Sequence, residues 1–376
     1  MAFKKIFRFS LVLLLSFFLL ADPSTLMAEE TPPLLGYGDT IPKLELDQPL
    51  LPEEIKYLHA TDPKILSIKD SSTDLLIIEF TNKYCYHCIV QVPLFNELFA
   101  AIQTDPKLKA KVKMIGIGVG NNRIQVDSFR RENDIPFPII PDPYFKVHDL
   151  VGQPNTPFTV LARNNKDKGE WIVASAHLGL IGDPDAFLDE MKAVLQYDIS
   201  LLKPVKGKIP SLPKGAEAQT PIPDTEIISL IKNSPVAPGA NLSRVEKILL
   251  PGNETVFMGT LDTGDGKKIF FSKMINQRSL CDFCYYNRFI FTFNEEGKVV
   301  NFIPIELGKY PNKPWDEEDV KKMKSRIIGT SILDNYDFNR NVDAVSTATA
   351  TSLIIFVRLN DAKKTFQKLK DGGYLK

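Results

Sequence analysis

Apolar runs of strand length alternate with helical patterns in the first half of the chain. Residues 75–80 form a continuous, largely apolar run, as expected for a strand that is covered on both faces of a sheet. Apolar residues at helical spacing follow, and further strands are predicted over residues 112–118, 156–160 and 171–176. This alternation predicts an α/β sandwich with a partly parallel sheet.

The second half has fewer helices and more strands. A helix is predicted near residues 225–232, and the following apolar runs predict strands over residues 255–261, 268–273, 288–293 and 298–305. Two helices end the chain, and in the last of them apolar side chains share one face, namely Leu353, Ile354, Val357 and Phe366. This half is predicted to be an α+β domain.

A proline-, lysine- and glycine-rich stretch without periodicity separates the two halves. Such composition is typical of a linker between domains. We therefore predict a first domain over residues 29–200, a linker over 201–224 and a second domain over 225–376. A length of 376 residues agrees with two domains.

Residues 1–28 have the pattern of a secretory signal peptide. Lys4, Lys5 and Arg8 precede the apolar stretch 11–21, and the small residue Ala28 offers a cleavage point. Export to a periplasm is therefore predicted. An uncleaved N-terminal anchor is the alternative, although the apolar run is shorter than the ~20 residues that a spanning helix needs.

The net charge argues against a nucleic-acid partner. Residues 1–28 contain three positive side chains and one negative side chain, so their removal changes the formal net charge from zero to minus two. A protein that binds nucleic acid needs a concentrated basic patch, and none is evident in the sequence.

The four cysteines form two Cys-x-x-Cys pairs, Cys85/Cys88 and Cys281/Cys284. This spacing suits a small disulfide loop or a shared metal ion, and it leaves both open. The first pair follows a predicted strand, and a helical pattern starts at Cys88, where amide donors and the helix dipole stabilise a thiolate. A redox-active dithiol is therefore predicted, with a structural disulfide and a zinc half-site as alternatives.

Residues from about 34 to 197 resemble the thioredoxin-like family, and more closely its exported redoxin branch. Glu79 lies where the family places a buried acid, Pro93 stands in the helix after the dithiol, and Thr156-Pro157 matches the cis-proline loop that faces the dithiol. The resemblance implies a thioredoxin-like sandwich and a thiol-disulfide oxidoreductase that acts on protein thiols or disulfides, or on a membrane redox partner.

The same resemblance implies roles for the residues of the dithiol. Cys85 would be the exposed thiolate, and Cys88 would resolve the mixed disulfide. His87, when cationic, would favour the Cys85 thiolate and make the dithiol a better oxidant. Glu79 would accept the proton of Cys88 if it is buried. The direction of electron flow stays open.

In the second half, residues 342–352 resemble the signature of FMN-binding domains that carry flavin covalently, as in the sodium-pumping quinone reductase. The match covers Asp343, Ser346, Ala348 and Thr349, whereas Thr347 replaces the glycine of the signature. The resemblance implies an FMN-binding-like fold, FMN esterified to Thr349 and a flavin transferase as partner. The alternative is a cofactor-free relative in which the stretch only caps the last helix.

Cys281 and Cys284 lack the strand-loop-helix setting, and Asp282 disfavours a neighbouring thiolate. A structural disulfide is predicted for them, with a second redox relay and a metal site as alternatives. Two redox motifs in one chain predict that electrons pass between Cys85/Cys88 and either the second pair or a flavin. Two other functions stay open, a disulfide-stabilised binding or scaffold protein and a covalent-FMN electron carrier whose thioredoxin-like domain only docks partners.

Overall fold

A computed structural model describes residues 33–66, 73–204, 221–264, 266–280, 287–310 and 313–375. The predicted signal peptide, most of the predicted linker and the pair Cys281/Cys284 lie outside the described residues. Within those ranges, no helix combines the length and the apolar character that crossing a bilayer requires.

Residues 33–204, the N-terminal part, form a five-stranded sheet with helices on its faces. The elements are β1 (Leu44–Glu45), α1 (Pro52–Leu58), β2 (Ile65–Leu66), β3 (Leu75–Thr81), α2 (Tyr86–Thr104), α3 (Pro106–Lys111), β4 (Val112–Val119), α4 (Arg123–Glu132), β5 (Ile139–Asp142), α5 (Lys146–Leu150), β6 (Phe158–Asn165), β7 (Glu170–Leu178) and α6 (Pro184–Val194). The sheet order is β5-β4-β3-β6-β7. Strands β3, β4 and β5 pair in parallel, and β6 pairs antiparallel with both of its neighbours, β3 and β7. The predicted α/β sandwich with a partly parallel sheet is confirmed.

The central strand β3 is covered on both faces. Leu75 and Ile77 pack in the same cluster as α2 and α6 side chains, and Leu76, Ile78 and Phe80 belong to a second cluster on the opposite face. Successive side chains of a strand point to opposite faces. This double burial explains the continuous apolar run in the sequence.

Residues 221–375, the C-terminal part, are built on a second five-stranded sheet. The elements are α7 (Asp224–Lys232), β8 (Arg244–Leu250), β9 (Glu254–Thr263), β10 (Gly266–Gln277), β11 (Asn287–Asn294), β12 (Val299–Glu306), β13 (Gly308–Lys309), β14 (Lys313–Pro314), α8 (Glu317–Ile327), α9 (Arg340–Asp343) and α10 (Thr349–Asp371). The antiparallel order β12-β11-β10-β9-β8 agrees with the predicted α+β architecture. Strand β8 was not predicted, because it is a charged edge strand.

The long helix α10 differs from the amphipathic helix that the sequence predicts. Every residue from Thr351 to Leu359 is buried. One apolar cluster contains Leu353 of α10, Phe291 of β11 and Ile117 of β4, so the first half of α10 lies in a core that both parts share. A helix that is covered on all sides is apolar all round. The two parts are therefore packed against each other through α10.

Candidate active site

Cys85 and Cys88 form a disulfide where β3 leads into α2. Cys85 is the N-cap residue of α2, and its Sγ accepts the backbone N–H of Cys88 at 3.2 Å. The sequence pattern indicated a helix that starts at Cys88. In the structure α2 begins at Tyr86, because Cys85 is the N-cap residue. An amide donor and the positive end of the helix dipole at Sγ stabilise a thiolate at Cys85.

The loop before the dithiol is tied to the end of β4. Asn82 donates its Nδ2 to the carbonyl of Val119 at 2.6 Å, and its own carbonyl accepts the N–H of Cys85 at 3.0 Å. Asn121 accepts the N–H of Lys83 at 2.8 Å. These contacts hold Cys85 at the start of α2.

The two cysteines differ in their exposure to solvent. Cys85 is 8% exposed and Cys88 is 2% exposed. Tyr86, directly after Cys85, is exposed, and its ring centroid lies 5.8 Å from that of His87. Cys85 is the more exposed of the two cysteines and is therefore the more accessible to a partner. The predicted effect of His87 on the Cys85 thiolate stays a prediction. Among the described residues, no group of three or more His, Cys, Asp and Glu side chains is arranged to hold a metal.

Glu79 is buried on the α2 side of β3. Its carboxyl accepts hydrogen bonds from Thr159 Oγ1 at 2.6 Å and from Gln91 Nε2 at 2.9 Å. Burial raises the pKa of Glu79 from 4.5 to about 8, although the two hydrogen bonds act in the opposite direction. The carboxyl is therefore protonated at neutral pH and is able to exchange a proton.

Gln91 and Thr159 were missed by the sequence analysis. Gln91 lies three residues after Cys88 on the same side of α2, and its Oε1 accepts the N–H of Ile181 at 2.8 Å. Thr159 lies opposite Glu79 in the antiparallel pair of β3 and β6. The one signal that the sequence offers is a polar residue at each of two otherwise apolar positions.

The loop before β6 lies beside the dithiol. The peptide bond between Thr156 and Pro157 is cis, and the carbonyl oxygen of Thr156 lies 3.4 Å from Cys85 Sγ. The mixed sheet, the dithiol between β3 and α2 and this loop give the N-terminal part a thioredoxin-like fold.

The same loop is hydrogen-bonded to the C-terminal part. Thr156 donates its N–H and its hydroxyl to the carbonyl of Leu280, at 2.9 and 2.8 Å. Asn155 Nδ2 donates to the carbonyl of Ser279 at 3.0 Å. We call these contacts between residues 152–156 and 278–280 the junction. Leu280 directly precedes Cys281 in the sequence.

The predicted flavin residues lie around the start of α10. Asp343 is buried, and it accepts hydrogen bonds from Arg326 Nε at 2.8 Å and from the N–H of Asn339 at 2.8 Å. Thr349 is the first residue of α10 and is half-buried. Thr347 has a φ of 59°, a left-handed conformation that suits the glycine of the signature. The Thr347 backbone therefore has a conformation that glycine adopts readily, whereas the Thr347 side chain departs from the signature.

Ser346 and Ala348 complete the matched set. Ser346 is exposed, and Ala348 is buried directly before the first residue of α10. The helix N-terminus is a favourable place for a phosphate, so these residues fit a phosphate ester at Thr349. FMN binding stays a prediction.

No protein-family model matches the chain, and no curated protein matches it either. Part of the chain is similar to solved structures of thiol-disulfide proteins. A protein of Chlorobium tepidum, assigned as thiol:disulfide interchange protein DsbE, is 19% identical, with a TM-score of 0.33, over 43% of this chain and 99% of its own. StoA of Bacillus subtilis is 18% identical, with a TM-score of 0.29, over 40% of this chain and 96% of its own.

The thioredoxin domain of a thiol-disulfide oxidoreductase of Bacteroides vulgatus is 13% identical. It has a TM-score of 0.32 and covers 43% of this chain and 99% of its own.

Proposed function

We propose that this protein is an exported thiol-disulfide oxidoreductase that uses Cys85 and Cys88. The observation that carries the proposal is the position of Cys85, which caps α2, accepts the N–H of Cys88 and lies beside the carbonyl of Thr156. A thiolate formed there is stabilised by the helix and is oriented towards the loop of Thr156.

The exchange needs no reagent beyond a partner disulfide or dithiol. In the reducing direction the Cys85 thiolate attacks one sulfur of the partner disulfide, and the other partner sulfur leaves as a thiolate. The Cys88 thiolate then attacks Cys85 Sγ, so that the Cys85–Cys88 disulfide forms and the partner is released as a dithiol. The oxidising direction is the reverse of these two steps.

Glu79 is proposed to handle the proton of Cys88. Its carboxyl has a pKa of about 8, so near neutral pH it has a proton to give and, once ionised, accepts one. Gln91, which holds the Glu79 carboxyl, lies three residues after Cys88 on the buried side of α2. The Glu79 carboxyl is therefore held by a residue on the same side of α2 as Cys88.

The second cysteine pair is proposed as a redox partner within the same chain. Leu280, the residue before Cys281, accepts two hydrogen bonds from Thr156. The proposal rests on the presence of two Cys-x-x-Cys motifs in one chain. Exchange with Cys281/Cys284 would carry electrons between the dithiol and the C-terminal part.

The proposals of export and of external redox partners rest on the sequence. The pattern of residues 1–28 supports a periplasmic location, where protein thiols and disulfides or a membrane redox protein are available as partners. The oxidising or reducing role is decided by the reduction potential of Cys85/Cys88, which a redox titration measures.

Activity assays with two cysteine variants test the proposal. Reduction of insulin and oxidation of a reduced protein substrate are expected to be lost in Cys85→Ser. In Cys88→Ser, Cys85 is expected to accumulate as a mixed disulfide with the substrate, because the resolving thiol is missing. Unchanged activity in Cys85→Ser would rule out Cys85 as the nucleophile and with it this function.

FMN at Thr349 is proposed as a second redox group, because the sequence match to the signature is supported by the positive φ of Thr347, a conformation that glycine adopts readily. Bound FMN would supply one- and two-electron transfer, and Thr349 would hold its phosphate at the start of α10. The test is the mass of the Thr349 peptide after production of the protein together with a flavin transferase. A peptide without added mass, and a Thr349→Val variant indistinguishable from the parent, would exclude the ester.

A further inference from the structure

Residues 278–280, which we call the strap, lie along the loop beside the dithiol. Arg278 donates its N–H to Gln153 Oε1 at 3.1 Å and its Nη1 to the carbonyl of Gly152 at 3.2 Å. The two following residues of the strap accept the remaining hydrogen bonds of the junction through their carbonyls. Every residue of the strap is therefore bound to the loop 152–156.

The side chain of Leu280 anchors the strap in the core. It is buried in the same apolar cluster as Phe158 of β6 and Ile275 of β10. Thr156 and Leu280 are each 1% exposed, so the hydrogen bonds between them are shielded from water. A buried N–H that is already paired is available to another acceptor only when its present partner leaves.

The loop that precedes Cys85 is also covered by the C-terminal part. The ring of Tyr84 meets the ring of Phe338 edge-on, with 5.8 Å between the centroids. Phe338 in turn packs edge-on against Phe356 of α10, at 5.6 Å. The C-terminal part therefore contacts both the loop that precedes Cys85 and the loop that lies beside its Sγ.

A partner that forms a disulfide with Cys85 has to come close to Thr156. The Cα atoms of two disulfide-bonded cysteines are roughly 4.4–6.8 Å apart. The carbonyl oxygen of Thr156 lies 3.4 Å from Cys85 Sγ, so the partner chain passes near this loop. An extended chain would gain affinity there from main-chain hydrogen bonds. The Thr156 N–H that it would use is taken by Leu280.

We propose that the strap determines partner specificity, because it occupies the place of an extended partner chain along residues 152–156. The inference rests on the proposed function and names a class of partner. Extended, unfolded chains are excluded, and partners whose cysteine reaches Cys85 without main-chain pairing to the loop are accepted. Cys85 is 8% exposed and the adjacent Tyr86 is exposed, so such a partner has access.

The test compares two disulfide reagents with the same leaving group. One is N-acetylcysteine amide and the other is an unstructured peptide with a central cysteine, each as a mixed disulfide with thionitrobenzoate. The Cys85 thiolate attacks the cysteine sulfur of the reagent, thionitrobenzoate leaves, and its absorbance gives the rate. All proteins are full-length and carry Cys88→Ser, Cys281→Ser and Cys284→Ser, so that Cys85 alone reacts.

In this parent protein the two reagents are expected to react at similar rates, because the peptide finds the Thr156 N–H occupied. Leu280→Ala removes the anchor of the strap, and Arg278→Ala removes its bond to Gly152. In both variants the ratio of the peptide rate to the small-reagent rate is expected to rise about 5- to 10-fold, since a freed N–H gives the peptide a backbone hydrogen bond. The rate with the small reagent is expected to stay unchanged.

Leu250→Ala is the matched control. Leu250 is a leucine of the same buried cluster, but it ends β8 and lies outside the junction. Its ratio is expected to equal that of the parent. Near-ultraviolet circular dichroism verifies the fold of each variant, and Arg278→Ala decides the test if Leu280→Ala does not fold.

The outcomes separate this inference from the function on which it rests. If Cys85 reacts with neither reagent, the proposed oxidoreductase itself is wrong. If Cys85 reacts with both but the ratio keeps its parental value in Leu280→Ala and Arg278→Ala, the role of the strap is overturned. A parent that already reacts several-fold faster with the peptide would overturn it too, as would an equal rise in Leu250→Ala.

Discussion

Thr156 donates both its backbone N–H and its hydroxyl to the carbonyl of Leu280, at 2.9 and 2.8 Å. The two residues are 124 positions apart in the chain. Thr156 lies next to the dithiol through its carbonyl, 3.4 Å from Cys85 Sγ. The C-terminal part is therefore attached to the N-terminal part at the loop that lies beside the Cys85–Cys88 disulfide.

Removal of the Thr156 hydroxyl is expected to weaken this attachment. Thr156→Val keeps the shape of the side chain and loses one buried hydrogen bond, which costs about 1 kcal/mol of the free energy of unfolding. Urea denaturation measures the loss. Thr104→Val is the control, because the Thr104 hydroxyl is exposed and bonds only within its own helix. Equal losses in the two variants would contradict a special contribution of Thr156.

Because of Glu79, the free energy of unfolding is expected to depend on pH at values above those at which a carboxyl ordinarily titrates. Its pKa in the folded protein, about 8, lies above the ordinary value of 4.5, so folding favours the protonated form. The stabilisation is fully present below the ordinary value and is lost as the pH rises through about 8. Across this window the free energy of unfolding is expected to fall by at most about 1.4 kcal/mol for each pH unit.

Glu79→Gln provides the comparison. The amide does not ionise, so the difference between parent and variant in the free energy of unfolding is expected to change between about pH 5 and about pH 9 and to be constant beyond it. The variant is also expected to lose the step in the pH profile of disulfide exchange that Glu79 causes. Parallel pH curves for both proteins would show that Glu79 does not titrate in this window.

Thr159 is expected to lower the pKa of Glu79 through its hydrogen bond of 2.6 Å. Thr159→Val removes the donor and should raise the pKa of the Glu79 carboxyl further above its ordinary value. Thr159→Ser, which keeps a hydroxyl, should leave it near that of the parent. Carbon NMR titration of the Glu79 carboxyl measures all three proteins. A lower pKa in Thr159→Val would contradict the assignment.

Thr347→Gly is expected to stabilise the protein. A β-branched residue at a φ of 59° is disfavoured, and glycine adopts this conformation without the steric cost. The gain is expected to be about 1 kcal/mol in the free energy of unfolding, measured by urea denaturation. Ser346→Gly, one residue earlier, serves as the control and should not stabilise. A loss of stability in Thr347→Gly would show that the Thr347 side chain contributes more than its backbone costs.

Local sequence patterns predicted much of the fold, because strand and helix periodicities are properties of neighbouring residues. Four of the five strands of each five-stranded sheet were predicted in this way, and β5 of the first sheet was not. The edge strand β8 was missed, since a half-exposed strand with charged residues carries little apolar signal. Helix α10 was predicted, but its burial on all sides was not, because a one-faced pattern does not reveal a second layer.

The sequence by itself determined the dithiol, because a strand, a cysteine loop and a helix are consecutive in the chain and their chemistry depends on that local order. It also pointed to Glu79. Only the tertiary structure brought Gln91 and Thr159 to the Glu79 carboxyl, and only it placed Leu280 at Thr156. Those contacts join residues that are distant in sequence. The sheet order and the packing of α10 decide which of these residues meet, and the periodicity of a single sequence reveals neither.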